Sequence, residues 1–469
     1  MSDFLYLQLE REFSEAIEQG RWGAGERLPS VRTLCRERQL SKATVLHAYN
    51  RMEARGLIEA RAKAGYFVRG QLDSRPPPAA GNPDSVPALV SVSDVMRDIM
   101  TQSAAFDILP SADQRAETPP GVIELNRSIA RALRHQRGLQ HQYYDAPTGT
   151  PALREQLARR YQRLGCALAA DDLNITAGCQ QALFLALMAC CKPGDVVAVE
   201  SPGFYGVLQL AESLGLQVLE IPAAADSGLN MDSLAEALKS WPVRACVVTP
   251  AFATPSGSLM PQAARSRLLA LAEQHDFVVI EDDIYGDLAF DQRPPPLKAL
   301  DHSGRVILCG SVSKSLSRDL RLGWIAAGPW QTQVNRLKLV NMLACSRFIQ
   351  RGLSDFIGDG GYDRHLRRQR SLLADQRDQL AELLDRDWPF PVRFSLPAGG
   401  LTLWLELPEA VDTLNCYRRA RDHGLIITPG ALFTGQKRYQ HCLRLSFAHP
   451  WNEPRRQAVT LLGELLAEG

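Results

Sequence analysis

A chain of 469 residues is too long for one hydrophobic core and predicts two or three domains. Its 45% apolar and 22% charged residues, with a net charge of +1, are those of an ordinary globular protein, which excludes a disordered or uniformly polybasic chain. No run of eighteen apolar residues is present and the opening MSDFLYLQLEREFSEA is acidic and helical, which predicts no bilayer span, no secretory signal and no membrane partner.

The charge is unevenly spread. Residues 1–20 carry net −4, whereas residues 21–69, with eleven Lys/Arg against four Glu, carry +7. A basic block inside a neutral chain marks a polyanion partner, unless it is only a solvated face. Three helical patterns run through this region. Leu9, Phe13, Ala16 and Ile17 form an apolar stripe that stops at Gly20. Ser30, after Pro29, is placed to cap a second helix, PSVRTLCRERQ. Ser41 caps a third, SKATVLHAYNRMEARG, which buries Val45, Ala48, Tyr49 and Met52 and stops at Gly56. The short joint between the last two is helix-turn-helix spacing. LIEARAKAGYFVR then gives two β-type runs around Lys63-Ala64-Gly65, a hairpin or wing. The third helix sets Lys42, Thr44, His47 and Arg51 opposite its apolar stripe. Ser41, Lys42 and Thr44 stand at its start, where a recognition helix meets base edges and phosphates. Arg32 can reach the DNA backbone from the preceding helix, and Arg61 and Lys63 from the wing.

The strings LPSVR, SKATV, HAY and KAGYF make residues 4–69 resemble the winged helix-turn-helix of GntR-type bacterial regulators. That family's pattern runs L-P-S-x-R, S-R-x-T-V, A-Y and G-x-G. The resemblance implies a DNA-binding domain over residues 1–70 with double-stranded DNA as its partner. Lys42 stands where the family has arginine, which weakens a bidentate guanine contact. Residues 71–89 follow as a linker: QLDSRPPPAAGNPDSVPA holds five prolines in eighteen residues. In polyproline II, at ~3.1 Å per residue, such an extended tether reaches roughly 50 Å.

Residues 90–469 form the second domain. From about residue 140 the runs DVVAVE, QVLEIP, RACVVT, FVVIED and RVILCG alternate with helix-length sequence. This is the α/β signature of a mostly parallel sheet with helices on both faces. Ligands of such sheets sit at the carboxyl ends of the strands, and the candidate residues cluster there. FVVIEDDIYGD ends a strand in three acids. ITAGCQQALFLAL puts Gly178-Cys179-Gln180 where a loop enters a helix, a phosphate cradle or a plain glycine turn. GSVSKSLSRDLRLGW adds Ser311, Ser313 and Arg321 beside Lys314, hydroxyl and guanidinium groups suited to a phosphate dianion. The ten cysteines show no Cys-x-x-Cys spacing and no Cys/His cluster. They read as reduced, mostly buried thiols of a cytoplasmic protein with no metal site, and the adjacent Cys190 and Cys191 as core packing.

A lysine beside a phosphate cradle can form a Schiff base with an aldehyde cofactor. Pyridoxal 5'-phosphate carries both the phosphate and a ring nitrogen that needs a carboxylate to stay protonated. From about residue 120 onward the chain resembles fold-type I aminotransferases, whose fold adds a smaller α+β subdomain. The resemblance implies that Lys314 holds the cofactor as an internal aldimine, that Asp282 pairs with the pyridinium and that Tyr285 donates to the ring hydroxyl. It further implies that Gly178, Cys179, Ser311, Ser313 and Arg321 hold the phosphate and that Phe204, in ESPGFYG, stacks on the ring with Tyr205 the lesser choice. Tyr144, in YYDAPTGTPALR, reaches the phosphate across a dimer interface, and Arg444, in CLRLSFA, grips a substrate or effector carboxylate. Two positions depart from the pattern: Thr254 replaces the asparagine that contacts the ring hydroxyl, and SRDLRLG replaces S-P-G-L-R-L-G.

Both halves together resemble the MocR subfamily of GntR regulators, to which GYDRHLRRQR (361–370) is also similar. That implies a cytoplasmic, head-to-tail homodimer that senses rather than metabolises. Pyridoxal phosphate or a small amino compound is its effector, and an operator with paired half-sites its target. A genuine aminotransferase with an accessory DNA-binding domain is the rival reading. A constitutive DNA-binding protein with a structural cofactor is the third.

Overall fold

The computed structural model describes residues 5–23, 25–54, 57–61, 64–68, 77–79, 81, 86–90, 99, 118–135 and 142–468. Lys63 lies outside the described residues, as do Gly56 and the side chain of Arg61. The chain divides into two compact units, one of Met1–Ser74 and one holding nearly all of the rest.

The first unit carries α1 (Leu5–Glu18), α2 (Val31–Glu37) and α3 (Lys42–Ala54), then the antiparallel pair β1 (Ile58–Arg61) and β2 (Gly65–Val68). The apolar stripes read from the sequence meet in one core: Leu9, Phe13 and Ile17 of α1 pack with Val45, Ala48, Tyr49 and Met52 of α3. Ser30 Oγ accepts the Thr33 N–H at 3.1 Å and Ser41 Oγ accepts the Thr44 N–H at 3.1 Å. Each such cap contributes about 1 kcal/mol to its helix. Backbone bonds from Leu28 N to Tyr66 O (2.9 Å) and Val68 N to Glu26 O (2.8 Å) tie residues 26–28 along the wing.

The second unit is built on an eight-stranded sheet. Its strands are β3 (Leu173–Thr176), β4 (Val196–Ser201), β5 (Gln217–Ala224), β6 (Gly228–Leu229), β7 (Val243–Val248), β8 (Val278–Asp282), β9 (Val306–Ser311) and β10 (Gly323–Ala326), in the order β3-β10-β9-β8-β7-β4-β5-β6. Five adjacent strands, β9, β8, β7, β4 and β5, are parallel. They are the five apolar runs legible in the sequence. β10 is antiparallel to both neighbours, and β6 to β5. Side chains alternate along each strand, so Val197 and Val199 face helix Cys179–Cys190, whereas Val196 and Ala198 face helices Met231–Ser240 and Gln262–Gln274. Cys190 packs in the first of these layers, and its sulfur is 3.6 Å from that of Cys191 with both thiols free.

A smaller antiparallel sheet follows, ordered β11 (Arg393–Phe394), β12 (Thr402–Glu406), β14 (Cys442–Ser446), β13 (Thr428–Pro429). Helices Gly361–Asp387, Thr413–Asp422 and Glu453–Ala467 accompany it. The register sets Arg444 of β14 opposite Trp404 on one side and Thr428 on the other.

The proline-rich stretch differs from a free tether at its described residues. Arg393 Nη2 donates to Pro77 O at 2.9 Å, and Ala79 N donates to Glu406 Oε2 at 2.8 Å. Further on, Ala88 exchanges backbone bonds of 3.0 and 2.8 Å with Val218 on β5, and Val90 is buried in the core beside the sheet. Proline removes donors without preventing carbonyls and the intervening alanines from bonding, so Pro77, Ala79 and Ala88 are tied to the second unit.

Candidate cofactor site and nucleic-acid face

The parallel strands bring the chemistry to their carboxyl ends. β8 ends at the buried Asp282, β9 ends at Ser311, and the connection 312–322 carries Lys314 and Arg321. Burial pushes the Asp282 carboxyl up to about 6, against the hydrogen bond that the Cys179 thiol donates to Oδ1 at 3.0 Å. Lys314 is held well below its ordinary value, first by desolvation and then by the positive charges of Arg318 and Arg444, with Asp282 opposing. A shift in that direction favours the neutral amine, the nucleophilic form.

Gly178 is the N-cap of helix Cys179–Cys190, at φ +89°, a backbone conformation that favours glycine. A Cβ there would lie 2.7 Å from Arg321 Nη2. Arg321 itself sits at φ +44° and donates from Nη2 to Ala177 O at 3.1 Å, which lays its guanidinium over the helix start. Ser311 Oγ lies 2.8 Å from Ser313 Oγ and donates to Leu322 O at 2.8 Å. Helix N–H groups, the Ser313 hydroxyl and a guanidinium are therefore the donors of an anion cup here, while the Ser311 proton is taken by Leu322 O. Cys179 contributes to that cup through its backbone alone, because its thiol is turned to Asp282.

Arg444 is buried among oxygen and ring partners. Nη1 donates to Thr254 Oγ1 at 3.3 Å and Nη2 to Thr428 Oγ1 at 3.3 Å, Tyr205 shares a further hydrogen bond, and the Phe433 ring centroid lies 5.1 Å from Cζ. Tyr285 is buried too, and its hydroxyl bonds that of Thr254. Phe204 is half-buried at the start of helix Tyr205–Ser213, its ring 4.9 Å from that of Tyr205. Tyr144 is 82% exposed. Tyr205 and Thr428, which hold Arg444, were not singled out for that task by the sequence, where Tyr205 stood only as the lesser choice for ring stacking and Thr428 in no recognisable motif.

On the first unit Arg32, Lys42 and His47 are exposed, and Thr44 and Ser41 share a 2.8 Å hydroxyl contact at the start of α3. His47 lies against Tyr6 with ring centroids 4.2 Å apart. Arg51 departs from expectation: Nε donates to the buried carboxylate of Glu10 at 2.5 Å, so it neutralises an acid of α1. Arg27, exposed beside Gly65 of the wing, is a cation the motif pattern does not mark.

This donor set fits pyridoxal phosphate. Because Gly178 lacks a Cβ the Arg321 guanidinium can lie over the helix start, and the raised carboxyl of Asp282 is the group a pyridinium N–H would satisfy.

Comparison with known proteins agrees. The profile of bacterial regulatory proteins of the gntR family matches residues 5–68, and that of aminotransferase class I and II matches residues 110–462. The HTH-type transcriptional regulators YjiR and YdcR of Escherichia coli are each 35% identical to this chain, over 98% and 99% of both lengths respectively. The crystal structure of Pyrococcus horikoshii kynurenine aminotransferase is similar with a TM-score of 0.72 and 28% identity, covering 81% of this chain and 95% of that one. The chain thus belongs to the MocR subfamily of GntR-type regulators, in which a helix-turn-helix domain is joined to a pyridoxal-phosphate-binding domain of aminotransferase class I and II.

Proposed function

We propose that the second unit is a sensor, and that pyridoxal phosphate together with an amino compound sets the affinity of the first unit for an operator with paired half-sites. Lys314 would hold the cofactor through its aldehyde, Asp282 would pair with the ring nitrogen and Tyr285 would donate to the ring hydroxyl. The N–H groups after Gly178, with Ser311, Ser313 and Arg321, hold the phosphate, while Phe204 covers the ring. Arg444 takes the effector's carboxylate. Arg32, Ser41, Lys42, Thr44 and His47 meet the DNA, with Arg61 and Lys63 on the wing. The protein acts as a cytoplasmic head-to-tail homodimer in which Tyr144 of each copy reaches the other's phosphate.

The observation that carries this reading is the coexistence of two intact constellations. In the second unit Asp282 and Arg444 both act on Lys314, and in the first unit Arg32 of α2 and Lys42 of α3 are exposed. The bound cofactor supplies an electron sink and a covalent handle for amines. Thr254 in the place of asparagine argues for a site tuned to hold an amine rather than to turn it over.

Absorption spectra of the cofactor-loaded protein with a panel of amino acids and amines test this. A band that shifts and persists with one compound identifies the effector. Conversion to the pyridoxamine form, followed by turnover with a keto acid, would make the protein an aminotransferase and sink the sensor reading.

A further inference from the structure

We propose that Tyr362 is a positioning residue for Lys314: it grips the next residue, Ser315, and so fixes the amine where the cofactor aldehyde must meet it. This rests on the cofactor site proposed above and deepens it. It also gives the segment GYDRHLRRQR (361–370) a task.

Ser315 is gripped twice. Its Oγ lies 2.7 Å from the Tyr362 hydroxyl, and its carbonyl oxygen lies 2.9 Å from His365 Nε2. A carbonyl only accepts, so His365 Nε2 carries the hydrogen of the second bond. Tyr362 and His365 stand three residues apart, on one face at the start of helix Gly361–Asp387. Ser315, Tyr362 and His365 are 3%, 1% and 4% exposed, so water does not compete for these bonds. Room for the imidazole exists because residue 121 is glycine, where a Cβ would come within 2.4 Å of His365 Nδ1.

The grip is anchored from behind. Tyr362 spends its one proton on Asp287 Oδ2 at 2.9 Å, so the Ser315 hydroxyl is the donor in the bond between Ser315 and Tyr362. Asp287 Oδ1 accepts from Arg293 Nε at 2.7 Å and from Arg160 Nη2 at 3.2 Å. Against burial, the charges of these two arginines hold the Asp287 carboxyl well below the ordinary carboxylate range, so it stays an acceptor. Arg160 Cζ also lies 4.4 Å from the centre of the Tyr362 ring. Arg370, the last residue of the segment, donates from Nε to Asp287 O at 3.0 Å. Hydrogen bonds ending on an ionised group are the stronger kind, which suits this net to holding a side chain still.

The same net reaches the second reactive residue by a separate branch. Arg293 Nη2 donates to Asp283 Oδ2 at 2.6 Å, and the Tyr161 hydroxyl donates to the same oxygen at 2.9 Å. Asp283 follows Asp282 just as Ser315 follows Lys314. Removing the Tyr362 hydroxyl cuts the Ser315 branch and leaves the Asp283 branch in place. A lysine that must reach a bound aldehyde loses most from a loosened neighbour, whereas binding of the ring and phosphate does not use its amine.

The test is to titrate the full-length protein with pyridoxal 5'-phosphate and, separately, with pyridoxamine 5'-phosphate, which has no aldehyde for Lys314. Tyr362→Phe keeps the ring beside Arg160. It should weaken pyridoxal phosphate binding by about three- to tenfold and leave pyridoxamine phosphate binding within about twofold. Ser315→Ala should do the same, and the double variant should bind no more weakly than either single one. Equal weakening toward both compounds, the mark of a merely structural role, overturns the proposal. So does unchanged binding of both, or a double variant whose effects add. Pyridoxal phosphate binding that survives Lys314→Ala undiminished overturns the underlying cofactor assignment instead.

Discussion

Asp282→Asn is expected to stabilise the cofactor-free protein at neutral pH while abolishing tight cofactor binding. The carboxyl titrates at about 6 in the folded chain against an ordinary 3.8, chiefly because burial disfavours its charge. The folded state therefore holds this proton more tightly than the unfolded state. Its contribution is present in full below pH 3.8 and is lost as pH rises through about 6. At 1.36 kcal/mol per pH unit the full loss is at most ~3 kcal/mol, and the adjoining charge of Asp283 makes ~1–3 kcal/mol the reasonable range. Asparagine has the same shape and still accepts from the Cys179 thiol, but carries no charge to bury. Thermal unfolding of the cofactor-free proteins should show the variant melting a few degrees higher at pH 7.5, with the gap closing toward pH 5. Cofactor titration should show a loss of at least about tenfold in affinity, since a pyridinium N–H gains most from a charged partner. A variant that melts no higher than the native protein at pH 7.5, or that binds cofactor equally well, would refute the assignment of Asp282 as a buried acid kept for a cation.

Gly178→Ala should weaken cofactor binding by about tenfold or more and cost about 1–2 kcal/mol of stability, because φ +89° strains alanine and its methyl would press on Arg321; an absorbance titration beside a melting curve checks both. Arg51→Ala should destabilise the first unit by about 1–2 kcal/mol, leaving Glu10 buried beside α3, yet leave the salt dependence of DNA binding unchanged, as read by anisotropy at several ionic strengths. Lys42→Ala should do the reverse, lowering the slope of log affinity against log salt by about one with little change in melting.

The readings that survived are those whose signal is local. The apolar stripe at Val45, Ala48, Tyr49 and Met52 and the caps at Ser30 and Ser41 depend only on neighbours in the chain, and all appear as read. The five parallel strands were legible because each is a short, mostly apolar run rich in Val and Ile. β3 and β10 were not, since LNIT and GWIA are only four residues long, too short for a pattern to stand out. The site's lysine and acid stood out by motif. The supports of Arg444 did not, because Thr254, Tyr205 and Thr428 converge from three elements that only the fold brings together. Arg51 shows the same limit in reverse: its helical face was evident, but its acid partner lies 41 residues away.

The central claim is that cofactor chemistry at Lys314 governs DNA binding. The most direct measurement is the affinity of the full-length protein for a DNA site selected from a random pool, with cofactor present, with and without the amino compound that shifts its spectrum. The account predicts that the compound changes DNA affinity severalfold, that DNA changes the compound's affinity by the same factor, and that Lys314→Ala removes both effects while still binding DNA. A Lys314→Ala protein that keeps the full response would contradict it.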